Sequence, residues 1–180
     1  GIAISYYSMG VIARELDENE NAVKHLTKSF TAFRKINNRT AIINVIHTSY
    51  TIVSNEQRQH FMAYINEIDR EDLMPNEISW LSTIDLISYC IDDVDQSVEI
   101  LQEKSEKAIE DASNVNTQDI DKLPVEALHL ASLKLIELGA RDEAIAYSKK
   151  ALDFIGERKT IIKKTLEKIV QHYTTKPKLH

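Results

Sequence analysis

The sequence predicts an all-α protein in which antiparallel helix pairs stack side by side into an array. Only 4 Gly and 3 Pro occur among 180 residues, too few turn residues for a β-sandwich or barrel. Apolar residues recur mostly at helical spacing rather than in alternation. Two segments of the chain also align with each other without gaps, which indicates an internal repeat.

The repeat joins Tyr6–Phe33 with Leu128–Ile155. In each segment a helical period leads to a leucine and a turn residue, and a small residue then opens the next helix. The aligned pairs are Leu16 with Leu138, Asp17 with Gly139, Ala22 with Ala144, Val23 with Ile145 and Ser29 with Ala151. A small residue lets two antiparallel helices approach closely. Their remaining apolar faces need a neighbouring pair to cover them, so units of this kind stack.

Five further helices are predicted in order along the chain: Thr40–Val53, Glu56–Ile68, Asn76–Ile91, Val94–Ser113 and Thr160–Tyr173. Ser54-Asn55 is predicted to be a turn, and Pro75 suits the start of a helix. Asn114–Pro124 is predicted to be a polar, mobile connector. At the small position of the pair, Ser97 fits in the third unit, whereas His60 in the second does not.

These elements make about four antiparallel helix pairs and a C-terminal capping helix, whose lysines form the polar outer face that the end of an array needs. We expect residues 1–174 to form this domain and residues 175–180 to be a disordered tail. The chain begins at Gly1, without Met and already inside a helical pattern, so we interpret it as an excised fragment or a processed product.

Composition excludes several classes of partner. The net charge of −6 disfavours nucleic acid, because phosphate contacts need a basic face. Acids concentrate in 92–121 and bases in the tail from Glu157, and we interpret both stretches as solvated helix faces. There is no uninterrupted apolar run near 18 residues, so direct membrane insertion is not expected.

Tyr6, Met9-Gly10, Leu16, Ala22, Leu26 and Ser29 occupy positions typical of a tetratricopeptide repeat, which the first segment resembles. Leu128, Leu138-Gly139, Ala144, Ile145 and Ala151 do the same in the fourth unit. The opening G-I-A-x-S-Y-Y-x-x-G with the later K-S-F-x-x-F is similar to repeats beside bacterial kinase, cyclase and transcription-factor domains. This resemblance implies a superhelical, non-catalytic protein- or peptide-binding module. It would be the sensory or scaffolding part of a larger bacterial signalling or regulatory protein, in the cytoplasm, or in the periplasm if the parent is a membrane-anchored sensor.

No pattern of residues predicts catalysis, so we expect no enzymatic activity, no metal and no cofactor. The histidines, none of which belongs to an H-E-x-x-H motif, are His25, His47, His60, His129, His172 and His180. There is no G-x-S-x-G nucleophile motif and no glycine-rich phosphate loop. Cys90, the single cysteine, is predicted to be a buried, inert thiol because it lies far from a helix N-terminus.

The resemblance also implies a groove lined by the first helix of each pair. Its predicted lining residues are Tyr7, Val11, Arg14, Val45, Ser49, Ser82, Leu86, Tyr89, His129 and Leu133. This mixed surface would suit a protein or peptide segment that offers apolar anchors. Tyr7 and Val11 stand where chaperone-binding relatives carry Lys and Asn, so chaperone tails are not the expected ligand. The alternative is a structural spacer that forms a homodimer and fills its groove with its own helices.

Overall fold

The prediction of an all-α fold is confirmed. The structure is a computed structural model that describes residues 1–92, 96–115, 124–157 and 160–175. These residues form nine α-helices and no β-strand. The helices are α1 (Ile2–Glu15), α2 (Asn19–Lys35), α3 (Arg39–Ser49), α4 (Asn55–Asn66), α5 (Pro75–Ile91), α6 (Val98–Ser113), α7 (Val125–Glu137), α8 (Arg141–Ile155) and α9 (Ile161–Thr175).

Two predicted helix boundaries were wrong, and in both cases a serine N-cap helps to explain why. Helix α3 ends at Ser49 rather than Val53, because Ser54 already caps α4 and the chain must turn between them. Ser54 and Gln57 form a reciprocal capping box there. Helix α6 begins at Val98 rather than Val94, since the Ser97 side chain accepts a hydrogen bond from the Ile100 amide.

Ser97 is therefore a cap, and the prediction that it is the small packing residue of the third pair was wrong. The buried face of α6 is formed by Leu101, Ser105 and Ala108 instead. Pro75 opens α5, as predicted. The predicted connector Asn114–Pro124 and tail 175–180 lie for most of their length outside the described residues.

The chain separates into two compact units, Gly1–Leu81 and Ser82–His180, with the boundary inside α5. In the first unit α1 packs along α2 and α2 along α3. Gly10 of α1 lies against Leu26 of α2, and the Ser29 hydroxyl donates to the Ala3 carbonyl at 2.9 Å. The small residues at these positions allow the two helices to approach closely.

Alternate helices of the first unit also make contact. Tyr7 of α1 reaches α3, and Phe30 of α2 packs on Phe61 of α4 with ring centroids 5.0 Å apart. Helix α3 is tied to α5 by Arg39, whose Nη2 lies 3.0 Å from the buried Glu77 carboxylate. First helices thus meet first helices and second helices meet second ones, as in stacked pairs.

In the second unit, too, neighbouring helices pack on each other and alternate helices make contact. Helix α7 packs on α8, α8 on α9 and α6 on α7, while α9 also reaches α7. Tyr147 of α8 donates a hydrogen bond to the Gln102 carbonyl of α6 at 3.4 Å. Leu166 of the terminal helix is fully buried, and Ile169 nearly so. Within this unit α9 covers an apolar face, as a capping helix would.

Candidate binding surface

Three of the predicted groove residues form one continuous face of α1. Tyr7, Val11 and Arg14 follow one another at spacings of four and three residues, and each side chain is half-buried. The Tyr7 hydroxyl donates to Asn44 Oδ1 at 3.3 Å. It also lies 3.1 Å from Thr48 Oγ1, where either oxygen can be the donor.

A second contact holds the other end of this face. Arg14 Nη2 donates to the Thr51 hydroxyl at 3.2 Å. Because both ends of the face are hydrogen-bonded across to one side of α3 and the turn after it, Tyr7 and Arg14 hold defined positions. Val11 lies between them and presents an apolar side chain, so the face combines an apolar centre with polar ends.

Val45, Ser49 and Leu86 do not line an accessible surface, and their assignment to the groove was wrong. All three are fully buried. The Ser49 hydroxyl turns back into its own helix and donates to the Val45 carbonyl at 2.8 Å. Neighbours along a helix are rotated by about 100°, so a register error of one residue moves a position from the surface to the core.

The side chains that α3 contributes to this surface, Asn44 and Thr48, were not predicted. They precede Val45 and Ser49 by one residue each, and Thr51 continues their side of the chain just beyond the helix. Their spacing of four and three residues is a helical pattern of polar side chains, which was the available signal. This surface, formed by Tyr7, Val11, Arg14, Asn44, Thr48 and Thr51, is called the α1–α3 face below.

In the second unit Ser82, Tyr89 and His129 are half-buried and Leu133 is exposed. The Tyr89 hydroxyl accepts a hydrogen bond from the Ser97 amide at 2.9 Å, and Lys104 Nζ lies 5.6 Å from the ring centroid. Tyr89 therefore fixes the start of α6 and already has a cation on its ring. Tyr89 has a structural role, because both of these contacts are made within the chain.

The imidazole of His129 is half-buried. Burial lowers the pKa of its imidazole, and the nearby Glu126 carboxylate opposes that shift only in part. The ring is thus neutral at neutral pH. Its Nε2 atom is buried and makes no hydrogen bond within the described part of the chain.

The described residues bring together no group of three or more His, Cys, Asp or Glu side chains that could hold a metal ion. Cys90 is buried, as predicted, and burial raises the pKa of its thiol to about 12. A thiol with that pKa carries almost no thiolate at neutral pH. Among the helices of the described ranges, none is both long enough and apolar enough to cross a bilayer.

Comparison with known proteins adds no identity: no family model, no curated protein and no solved structure matches this chain.

Proposed function

We propose that the chain is a non-catalytic binding module of the tetratricopeptide type, and that the α1–α3 face takes a protein or peptide segment. The observation that carries this is the combination of a half-exposed Val11 with Tyr7 and Arg14 held on either side of it. A surface whose polar ends are already ordered loses little conformational entropy when a ligand binds.

The chemistry of the face indicates the kind of ligand. Val11 and the Tyr7 ring offer a shallow apolar site, while Asn44 and Thr48 offer amide and hydroxyl groups. An extended segment with one apolar anchor and free backbone amides would use both, since its backbone can pair with the polar groups. This supports peptide recognition over recognition of a compact small molecule.

The placement of the module in a bacterial signalling or regulatory protein, as a sensory or scaffolding part, is supported by the repeat resemblance. A right-handed superhelical array is proposed on the same basis, and the contacts between alternate helices within each unit support it. Fold alone does not name a partner.

A selection from a displayed library of random peptides, made on the purified chain, tests the proposal. Selected peptides should share an apolar residue and should bind the Val11→Glu variant at least about tenfold more weakly, because a charge would replace the apolar centre. Met9→Ala, on the opposite side of α1, is the matched control and should bind normally. Equal affinity for Val11→Glu and the unchanged chain, with both folded by circular dichroism, would exclude this face.

The second candidate function is a dimerising spacer, which is favoured by the exposure of the large apolar side chains of Ile2, Met9 and Ile12 on α1.

A further inference from the structure

A cleft of about 490 Å³ lies between α6 and α8 in the second unit, a volume within the range of ligand-binding pockets. We call it the α6–α8 cleft. Its lining includes Glu106, Ile109 and Glu110 of α6, and Glu143, Ala146 and Tyr147 of α8. Within each helix these residues recur every three or four positions, so they lie on one side of it.

The cleft has an apolar centre with one polar atom. Tyr147 is only 8% exposed, Ile109 is half-buried, and the small side chain of Ala146 leaves space beside them. The Tyr147 hydroxyl donates one long hydrogen bond, to the Gln102 carbonyl at 3.4 Å, and accepts none from the described residues. A hydroxyl oxygen can accept hydrogen bonds as well as donate one. The buried oxygen therefore offers an unused acceptor to a donor that enters the cleft.

Three carboxylates surround this centre. Glu106 and Glu110 are exposed and Glu143 is half-buried. None of the three makes an ion pair or a hydrogen bond with another residue in the described ranges. Lys150 is the single cation among the described residues that line the cleft. The lining therefore carries a clear excess of negative charge.

This charge acts on the centre of the cleft from both helices. Burial raises the pKa of the Tyr147 hydroxyl to about 12, and the carboxylates of Glu106 and Glu143 add to that rise. The two lysines of α6 pair with acids outside the cleft, Lys104 with Asp85 and Lys107 with Asp111. A cationic ligand would therefore find carboxylates that have no ion-pair partner of their own.

The repeat itself requires neither the charge nor the open space. The positions of α2 that align with Glu143, Ala146, Tyr147 and Lys150 of α8 are Asn21, Lys24, His25 and Lys28, which include no acid. Between α2 and α4 of the first unit, Phe30 and Phe61 pack together with ring centroids 5.0 Å apart. The acidic cleft thus depends on the particular residues of α6 and α8 and is not a general consequence of stacking helix pairs.

We propose that the α6–α8 cleft binds a basic segment of a partner protein, whose arginine or lysine side chains complement the carboxylates. The methylene stems of these side chains pack on Ile109 and Tyr147, while their cationic ends pair with the acids. Glu106 and Glu110 are one helical turn apart, about 6 Å along the axis. Alternate side chains of an extended segment are about 6.6 Å apart, so two of them match this pair of carboxylates.

Fluorescence anisotropy with a labelled Arg-Ala-Arg-Ala-Arg peptide tests the proposal. The unchanged chain should bind it with a Kd that rises with salt, because the carboxylates are largely exposed. Glu106→Gln combined with Glu143→Gln should raise the Kd by about tenfold or more. Glu103→Gln combined with Asp153→Asn is the matched control, since it removes the same charge from exposed positions of the same two helices outside the cleft. It should leave the Kd nearly unchanged.

Tyr147→Phe tests the buried acceptor separately. It keeps the ring and removes the hydroxyl, so it should weaken peptide binding by about threefold or more. Circular dichroism checks that each variant is folded. Val11→Glu should bind this peptide normally, because the α1–α3 face is a different surface. Failure of the cleft proposal would therefore leave the proposed function of that face untouched.

Four results would overturn the proposal. The first is no binding of the peptide to the unchanged chain at millimolar concentration. The second is an equal loss in the two double variants, which would assign binding to net charge alone. The third is displacement of the peptide by an equal concentration of spermidine, which would assign the cleft to a small polyamine. The fourth is self-association that the cleft variant abolishes, which would assign it to a second copy of the chain.

Discussion

Asp17 and Gly139 occupy the same place in the two aligned repeats and share one backbone conformation. Their φ angles are 62° and 82°, both in the left-handed region. In each turn the amide that follows donates back across the helix end at 2.8 Å, from Glu18 to the Ala13 carbonyl and from Ala140 to the Leu135 carbonyl. This is a Schellman-type ending, and it confirms that the gapless alignment relates equivalent turns.

The shared φ predicts opposite effects of two substitutions. Gly139→Ala should lower the free energy of unfolding by about 1 kcal/mol, since an L-residue is strained there even though the space beside Gly139 is open. Asp17→Gly should raise it by about 0.5 kcal/mol, because relief of strain exceeds the entropy that glycine loses. Urea unfolding of both variants measures the two values. A neutral Gly139→Ala variant would contradict the strain.

Glu77 should be the most sensitive carboxylate in the first unit. Its side chain is fully buried and accepts hydrogen bonds from Arg39, from the Thr40 hydroxyl at 2.7 Å and from the Met74 amide at 2.9 Å. Glu77→Gln keeps the shape but loses the charge, so we expect a loss of about 1–3 kcal/mol of stability at neutral pH. Asp85→Asn, at an exposed ion pair, is the matched control and should cost much less.

The same residue predicts a pH dependence. Burial alone would raise the pKa of Glu77, but hydrogen bonds from Arg39, the Met74 amide and Thr40 outweigh it and hold the pKa below the ordinary value of 4.5. A depressed folded-state pKa gives stability that is present above pH 4.5 and is lost as the pH falls through the folded pKa. Melting curves from pH 7 to pH 3 should therefore show the advantage of the unchanged chain over Glu77→Gln shrinking below pH 4.5. A constant difference would exclude the linkage.

Gly10 should tolerate no side chain without adjustment of Leu26. An added Cβ would lie 2.6 Å from Leu26 Cγ and 2.8 Å from its Cδ2, and Leu26 is itself buried. Gly10→Ala should thus destabilise the fold by about 1–3 kcal/mol despite the better helix propensity of alanine. Ser8→Ala, exposed on the same helix, controls for propensity.

A double-mutant cycle checks the cause of that loss. Combining Gly10→Ala with Leu26→Ala should cost less than the sum of the two single changes, because the contact that creates the clash is gone. Additive losses would place the cause elsewhere.

Cys90 should be almost unreactive in the folded protein. Since burial raises the pKa of its thiol to about 12, the thiolate fraction at pH 8 is very small. Ellman's reagent should modify the native chain about a hundredfold or more slowly than the chain in urea. In a Cys90→Ser background, Ile36→Cys, at a position that is 66% exposed, is the control and should react at once. Fast labelling of native Cys90 would contradict the burial.

The sequence by itself determined the helices and the repeat, because both depend on local signals. The local signals are the period-3.6 apolar patterns, the helix start at Pro75 and the turn at Gly139. Each of them depends only on residues a few positions away in the sequence. Helix order and type were therefore predictable along the chain. The errors at α3 and α6 came from the serine caps Ser54 and Ser97, whose side chains decide where a helix begins.

Only the tertiary structure decided which side of each helix is free. Helix α3 buries Ile42, Ile43, Val45 and Ile46 and leaves polar residues on its other side. Only the hydrogen bonds with Tyr7 of α1 show that Asn44 and Thr48 belong to the same surface as α1. In the same way, Met9 and Ala131 occupy aligned positions of α1 and α7, yet Met9 is exposed and Ala131 is buried. The burial of a residue depends on which helices lie next to it, and a local sequence pattern does not identify those helices.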